Sequence, residues 1–263
     1  MTAPYRAALT GLGAYLPEKV LTNFELEKMV ETSDEWIRTR TGIRERHVAA
    51  PGQSSSDLAL PAAREAIENA GLTVKDIDLI IVATISPDML FPSTACYLQA
   101  KLGATCGAFD MAAACSGFPY AIAIAEGFVK SGLYKNVLVV GAEAITKFIN
   151  WKDRSTCVLF GDGAGAAVVS RSRDDHGILA SNLGADGRES EILQIPAGGS
   201  MNPPTEETVK SGLHYLRMAG PELFKIAVKT MEQAVRNVLK HGNLEVKDIA
   251  CLIPHQANNR ILQ

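Results

Sequence analysis

One cysteine of this chain stands in the setting that makes a nucleophile. Cys115 lies in Ala112-Ala-Ala-Cys-Ser-Gly-Phe, after an apolar strand pattern and before a helical pattern that begins at Gly117. The small residues let the backbone approach closely, and a strand-to-helix turn projects the side chain at a helix N-terminus. The partial positive charge and free N–H groups there favour a thiolate and can hold an oxyanion. The competing reading is a buried structural cysteine. Cys96 falls in a helical pattern, Cys106 in a loop, and Cys157 and Cys251 in strand patterns, so these four are assigned to packing.

His255 is the second candidate. It sits in Leu252-Ile-Pro-His-Gln-Ala-Asn-Asn-Arg, where Pro254 bends the chain at the end of an expected strand. Open α/β sheets place ligands at such ends, and Asn258 with the His255 ring would send hydrogen bonds into one space. A third cluster is Trp36 with Arg38 and Arg40, a combination that stacks a purine and holds phosphates; the alternative is a helix end pinned by ion pairs. Gly161-Asp-Gly-Ala-Gly-Ala-Ala runs into a strand pattern, whereas a dinucleotide fingerprint must open a helix, and Gly11-Leu-Gly-Ala runs on to Pro17. Both are read as tight turns near the active site. No P-loop, metal-binding His-Glu motif or Gly-x-Ser-x-Gly elbow is present.

The elements that must position these residues read as α/β. Short apolar runs predict strands at Leu79–Thr84, Gly107–Ala113, Val137–Gly141, Ala164–Val169 and Ile249–Ile253, with Ala7–Leu16 as a strand and turn. Helices are expected at Leu58–Ala70, kinked or shortened by Pro61, at Gly117–Ser131, and at Pro221–His241 ending before Gly242. Val74-Lys-Asp-Ile recurs as Val246-Lys-Asp-Ile, each after an amphipathic helix and before an apolar run. That predicts a duplicated α/β unit, divided near Asp174–Asp175 into residues 1–174 and 175–263. The second copy has too little chain after Val246 to repeat the first, so a C-terminally incomplete version of a longer protein is expected.

Composition narrows the classes. Lys+Arg 26 against Asp+Glu 29, without a basic tail, argues against a nucleic-acid binder and leaves room for a local basic patch facing an acidic partner. Five cysteines without a paired spacing suggest neither a disulfide framework nor a metal site. No run approaches the roughly 20 apolar residues of a membrane span. A soluble cytoplasmic protein is expected.

Four segments together, Thr32–His47, Ala112–Phe118, Phe160–Val168 and Pro254–Ile261, resemble β-ketoacyl-acyl-carrier-protein synthase III in order and spacing along essentially the whole chain. The resemblance implies a thiolase-like fold, two duplicated α/β halves in α-β-α-β-α layers with the second half incomplete, and a homodimer. It implies an acyltransferase that takes an acyl group, typically acetyl, from coenzyme A onto Cys115. Condensation with malonyl-acyl carrier protein then gives a 3-ketoacyl product, with His255 stabilising the enolate. No tightly bound cofactor is implied; the coenzyme A thioester is a substrate. Thr32, Trp36, Arg40 and Arg154 match the coenzyme A end of the tunnel, with Trp36 and Arg154 flanking the adenine. Phe224 and Asn258 match its pantetheine channel. Phe91 matches the residue closing the primer pocket across the dimer. Gln256, Ala257, Asn258, Asn259 and Arg260 match the carrier-protein contact. The family's Gly-Asn-Thr-Ser-like motif is absent, and the repeat offset puts its catalytic Asn near the counterpart of Cys115, at about residue 287. The chain as given is therefore expected to load an acyl group and not to condense it. A condensing enzyme of polyketide or signal-molecule synthesis, and a condensation-inactive fragment, are the alternative readings.

Overall fold

The computed structural model describes residues 5–172 and 176–262. In chain order these form β1 (Ala7–Tyr15), β2 (Lys19–Thr22), α1 (Asn23–Leu26), α2 (Asp34–Thr41), β3 (Glu45–Val48), α3 (Ser55–Asn69), β4 (Leu79–Ala83), α4 (Thr94–Leu102) and β5 (Gly107–Met111). Then come α5 (Gly117–Lys130), β6 (Asn136–Glu143), α6 (Arg154–Cys157), β7 (Gly163–Arg171), β8 (Leu193–Gln194), α7 (Glu206–Lys210), β9 (Arg217–Met218), α8 (Gly220–Gly242) and α9 (Asn259–Leu262). The chain divides into two interleaved units. The first is Met1–Lys19, His47–Ala144 and Asp162–Leu179; the second is Val20–Arg46, Ile145–Gly161 and Ala180–Gln263. The boundary expected at Asp174–Asp175 lies outside the described residues.

The first unit is a five-stranded sheet in the order β1-β7-β6-β4-β5. β4 is parallel to β5 and β6, and β7 runs antiparallel to β6 and β1. Successive side chains of a strand point to opposite faces, and both faces here are covered. Ile80, Val82, Leu138 and Val140 pack with Ala59, Ala62, Ala63 and Ala66 of α3, while Leu79, Ile81, Val137 and Val139 pack with Ala121, Ala125 and Val129 of α5. Full burial of such a Val, Leu or Ile stabilises by about 1.5–3 kcal/mol, and this double layer explains why β4 is buried at every position.

The alanines of α3 repeat at helical spacing and meet glycines, which corrects the reading of Gly11-Leu-Gly-Ala as a tight turn. Gly11 and Gly13 lie inside β1, directly beneath α3. A Cβ on Gly11 would come 2.1 Å from the Ala66 carbonyl oxygen, and one on Gly13 2.2 Å from that of Ala62. Pro61 does not confine the regular helix to its second half either. α3 starts at Ser55, where Asp57 accepts from the Ser54 N–H at 2.8 Å and closes the first turn. Pro61 removes only its own N–H from an otherwise anchored helix.

In the second unit α8 ends at Gly242, and Asn243, not glycine, takes the left-handed cap at φ 52°. The Val-Lys-Asp repeat is structural. Val74–Asp76 and Val246–Asp248 form matching 3-10 turns, with Asp76 accepting from the Thr73 N–H at 2.8 Å and Asp248 from the Glu245 N–H at 2.9 Å. Beyond these turns the two copies diverge. The first copy enters β4, but the strand expected at Ile249–Ile253 is absent, and Leu252 and Ile253 are 62% and 86% exposed. A strand needs a neighbour for its backbone N–H and C=O groups, and none of the described residues pairs with this one. Cys251 is accordingly exposed rather than packed in a strand, and Cys157 is buried at the end of α6, not in a strand.

Candidate active site

Cys115 belongs to the first unit. β5 delivers the chain to a single 3-10 turn, Ala114–Ser116, which leads directly into α5. Ala114, immediately before the nucleophile candidate, adopts φ 44°. A left-handed alanine costs about 1–3 kcal/mol, and such strain persists only where the surroundings impose it. Gly117 makes the turn possible, because a Cβ there would press 3.0 Å from the Ala83 Cβ at the end of β4.

The electrostatics bear on one expectation. The Cys115 side chain keeps solvent access, yet the protein crowded around it pushes the thiol up, and the Glu143 carboxylate adds to the effect. Its own backbone N–H acts in the opposite direction and does not prevail. The thiol is thus protonated to higher pH than an ordinary cysteine, where the helix N-terminus alone would favour a thiolate. Glu143, a residue sequence reasoning missed, is itself pushed up by burial, against the hydrogen bonds that it accepts. It ends β6, accepts from the Ile85 N–H at 2.9 Å and from the Thr84 hydroxyl at 3.3 Å, and takes a short bond from Ser86 Oγ. Its only signal in the sequence is an acidic residue closing an apolar run.

The second unit assembles the aromatic and cationic cluster. α2 is capped at its start by Ser33, whose hydroxyl accepts from the Trp36 N–H at 3.0 Å, and at its end by Gly42. Arg40 lies 4.5 Å and Arg154 4.9 Å from the Trp36 ring centroid. Arg154 also donates to the Glu31 carbonyl at 2.8 Å. Arg38 instead pairs with Asp34 at 3.1 Å, an ion pair of the kind the alternative reading expects. The Thr32 hydroxyl is buried nearby in sequence without a hydrogen-bond partner among the described residues.

The remaining expected residues separate into groups. Arg260 lies 5.9 Å from the Phe224 ring, which joins the expected carrier-protein segment to the expected pantetheine channel. Asn258, just before α9, accepts through Oδ1 from the Arg260 N–H at 2.9 Å, while Gln256, Ala257 and Asn259 are exposed. His255 lies in the exposed segment before α9; the protein around it nevertheless lowers its pKa by desolvation, which favours the neutral ring. Phe91, in the first unit, is 87% exposed beside Met89 and Leu90.

A model of the family described as 3-oxoacyl-[acyl-carrier-protein (ACP)] synthase III matches residues 109–187, which include Cys115. The chain is 59% identical over 258 residues to the β-ketoacyl-[acyl-carrier-protein] synthase III of Caldanaerobacter subterraneus, covering 98% of this chain and 78% of that protein. The chain belongs to the β-ketoacyl-acyl-carrier-protein synthase III family. The synthase III of Clostridioides difficile is 52% identical over 259 residues, 98% of this chain and 79% of the relative. The crystal structure of 3-oxoacyl-[acyl-carrier-protein] synthase III from Aquifex aeolicus superposes with a TM-score of 0.88 at 50% identity, over 97% of this chain and 78% of that one. The fold is thiolase-like, and a synthase III is an acyl-transferring condensing enzyme. Among the described residues no helix is long and apolar enough to cross a membrane.

Proposed function

We propose that this synthase III carries the acyl group of a short acyl-coenzyme A, typically acetyl, on Cys115, the loading half of the family's condensation with malonyl-acyl carrier protein that opens fatty acid synthesis. The strained turn at Ala114 is the observation that carries the assignment of Cys115. In loading, the sulfur gives up its proton and attacks the thioester carbonyl. A Cys115–acyl bond forms, the acyl–sulfur bond of coenzyme A breaks, and coenzyme A leaves as its thiol with that proton. In condensation, malonyl-acyl carrier protein loses carbon dioxide, and its enolate attacks the Cys115 thioester. The Cys115 sulfur is released and a 3-ketoacyl-carrier protein forms. A neutral His255 donates to the enolate oxygen as charge develops there, and its lowered pKa supports that role.

Trp36, Arg40 and Arg154 receive the adenine end of coenzyme A, with Thr32 beside them and Phe224 and Asn258 along the pantetheine. The segment Gln256–Arg260 meets the acidic carrier protein through Arg260. Phe91 bounds the acyl pocket of the second copy in a homodimer, a role that suits an apolar side chain held in solvent. The protein works in the cytoplasm without a tightly bound cofactor.

Incubation with acetyl-coenzyme A and peptide mapping tests the reading. An acetyl mass on the peptide containing Cys115, and none in Cys115→Ala, is the expected result. Acetyl on Cys96, Cys106, Cys157 or Cys251 instead would refute the assignment.

A further inference from the structure

The ten or so residues between β4 and α4 form an arm whose base is fastened far more heavily than its tip. At its near end Glu143 takes the Ile85 N–H and the Ser86 hydroxyl, the Ser55 hydroxyl donates to the Ser86 carbonyl at 2.6 Å, and the Ala144 N–H donates to Ser86 Oγ at 2.9 Å. At its far end Asp110 accepts from the N–H groups of Thr94 and Ala95 at 2.6 and 2.7 Å. Between these lies Asp88. One oxygen accepts from the Ser56 N–H at 2.9 Å, the other from the Ser54 hydroxyl at 2.8 Å and from the Ser56 hydroxyl. Its own N–H donates to Thr94 Oγ1 at 3.0 Å, so the carboxylate ties the arm to the start of α3 while the backbone ties it to the start of α4. Lys101 on α4 locks the receiving side, donating to Ser56 Oγ at 2.7 Å and to Asp57 at 2.6 Å. The next three residues, Met89, Leu90 and Phe91, are 56%, 84% and 87% exposed.

Three consecutive exposed apolar side chains would collapse onto the protein if the chain beneath them were loose. The carboxylate accepts three hydrogen bonds three residues from Phe91, and bonds to a charged acceptor are the strong ones. The cost of ordering the tip is therefore met chiefly at Asp88, the last charged anchor before Phe91; beyond it Met89 Sδ accepts only a neutral bond from the Tyr97 hydroxyl at 3.3 Å.

We propose that Asp88 is a positioning residue for acyl selection: by clamping the arm to the start of α3 it fixes the reach of Phe91, and so the length of acyl group accepted at Cys115 in the second copy of the homodimer. The inference rests on the proposed role of Phe91 as a boundary of the acyl pocket. Asp88 touches no substrate. It acts through Phe91, because a pocket wall discriminates chain length only if the wall does not retreat from the longer chain.

The test compares rates of Cys115 acylation by acetyl- and hexanoyl-coenzyme A, read as mass added to the intact protein, in wild type, Asp88→Ala, Asp88→Asn and Phe91→Ala. In Phe91→Ala the acetyl-to-hexanoyl ratio falls by about tenfold, the scale on which an apolar pocket wall discriminates. Asp88→Ala is expected to give a similar fall, and Asp88→Asn, which keeps an acceptor for the Ser56 N–H, to recover most of it. A merely structural role for Asp88 would slow both substrates together and leave the ratio alone. A wild-type ratio in Asp88→Ala beside a relaxed one in Phe91→Ala overturns the clamp while sparing the pocket reading. An unmoved ratio in Phe91→Ala overturns the pocket reading and the inference with it. If Asp88→Ala does not fold, Ser56→Ala removes one of the same hydroxyl bonds and is judged by the same ratio.

Discussion

The guanidinium of Arg154 lies 4.9 Å from the centre of the Trp36 ring, held by its hydrogen bond to the Glu31 carbonyl. A purine stacked between two planes needs them roughly 7 Å apart, two van der Waals contacts deep. On the proposed binding of coenzyme A, the adenine would therefore have to displace Arg154 before it occupies that space. Breaking the cation–π contact costs about 0.5–1 kcal/mol, which the purine regains by stacking on the same ring. Trp36→Ala should raise the acetyl-coenzyme A concentration for half-maximal Cys115 loading by about tenfold, the loss of one aromatic platform. Alkylation of Cys115 by iodoacetamide, which needs no adenine site, is the companion measurement. An equal fall in both rates would point to misfolding rather than to a lost platform.

The raised Cys115 thiol has a direct reading. Its folded-state pKa lies above the ordinary 9.0, so the alkylation rate should still be climbing at that pH. Glu143→Gln removes the carboxylate charge and should move the profile toward lower pH. A Cys115 profile already level below pH 8 would show that the turn favours the thiolate after all.

His255 moves the other way. Its folded pKa is lowered from 6.5, so the folded chain binds that proton less tightly than the unfolded chain. Stability from this group is present above 6.5 and is lost as pH falls through the folded value. The Cε1 proton signal of His255, assigned by comparison with His255→Ala, should titrate with a midpoint below 6.5. A midpoint at or above 6.5 would contradict the desolvation of the ring, and with it the support that the lowered pKa gives the neutral-donor role.

Gly11→Ala tests the contact between β1 and α3. The added Cβ would meet backbone, the Ala66 carbonyl at 2.1 Å and the Ala70 N–H at 2.5 Å, and backbone does not swing aside. Overpacking of this kind costs about 1–3 kcal/mol and sometimes more. A thermal midpoint lower by roughly 3–10 °C is expected in a calorimetric scan. Gly127→Ala, where a Cβ meets nothing within 4 Å, is the matched control.

The first unit was legible because its signals are local. β4 and β6 are continuous apolar runs, and the Cys115 turn is flagged by small residues on both sides. The strand at Ile249–Ile253 shows the limit, because an apolar run predicts a strand only if another segment supplies its hydrogen bonds. The strand pattern at Cys157 failed for a different reason: the residue is buried as its apolar neighbours predict, but the Asp153 cap, accepting from the Ser155 N–H at 2.9 Å, made the segment a helix. Glu143 and Asp88 were invisible because their partners, Ile85 and Ser86 for one and Ser54 and Ser56 for the other, are brought near only by the sheet and α3. A carboxylate in a loop carries no sign of what it will hold.

Helix α3 serves two masters. Its body is seated on Gly11 and Gly13, and its first turn receives Asp88. A side chain that lifts the helix from β1 would carry Ser54 and Ser56 with it, and a misplacement of about 1 Å is already felt in catalysis. Two glycines on the edge strand thus act as shims in the alignment of Phe91, and acyl preference becomes a trait that can drift through mutations remote from the thiol.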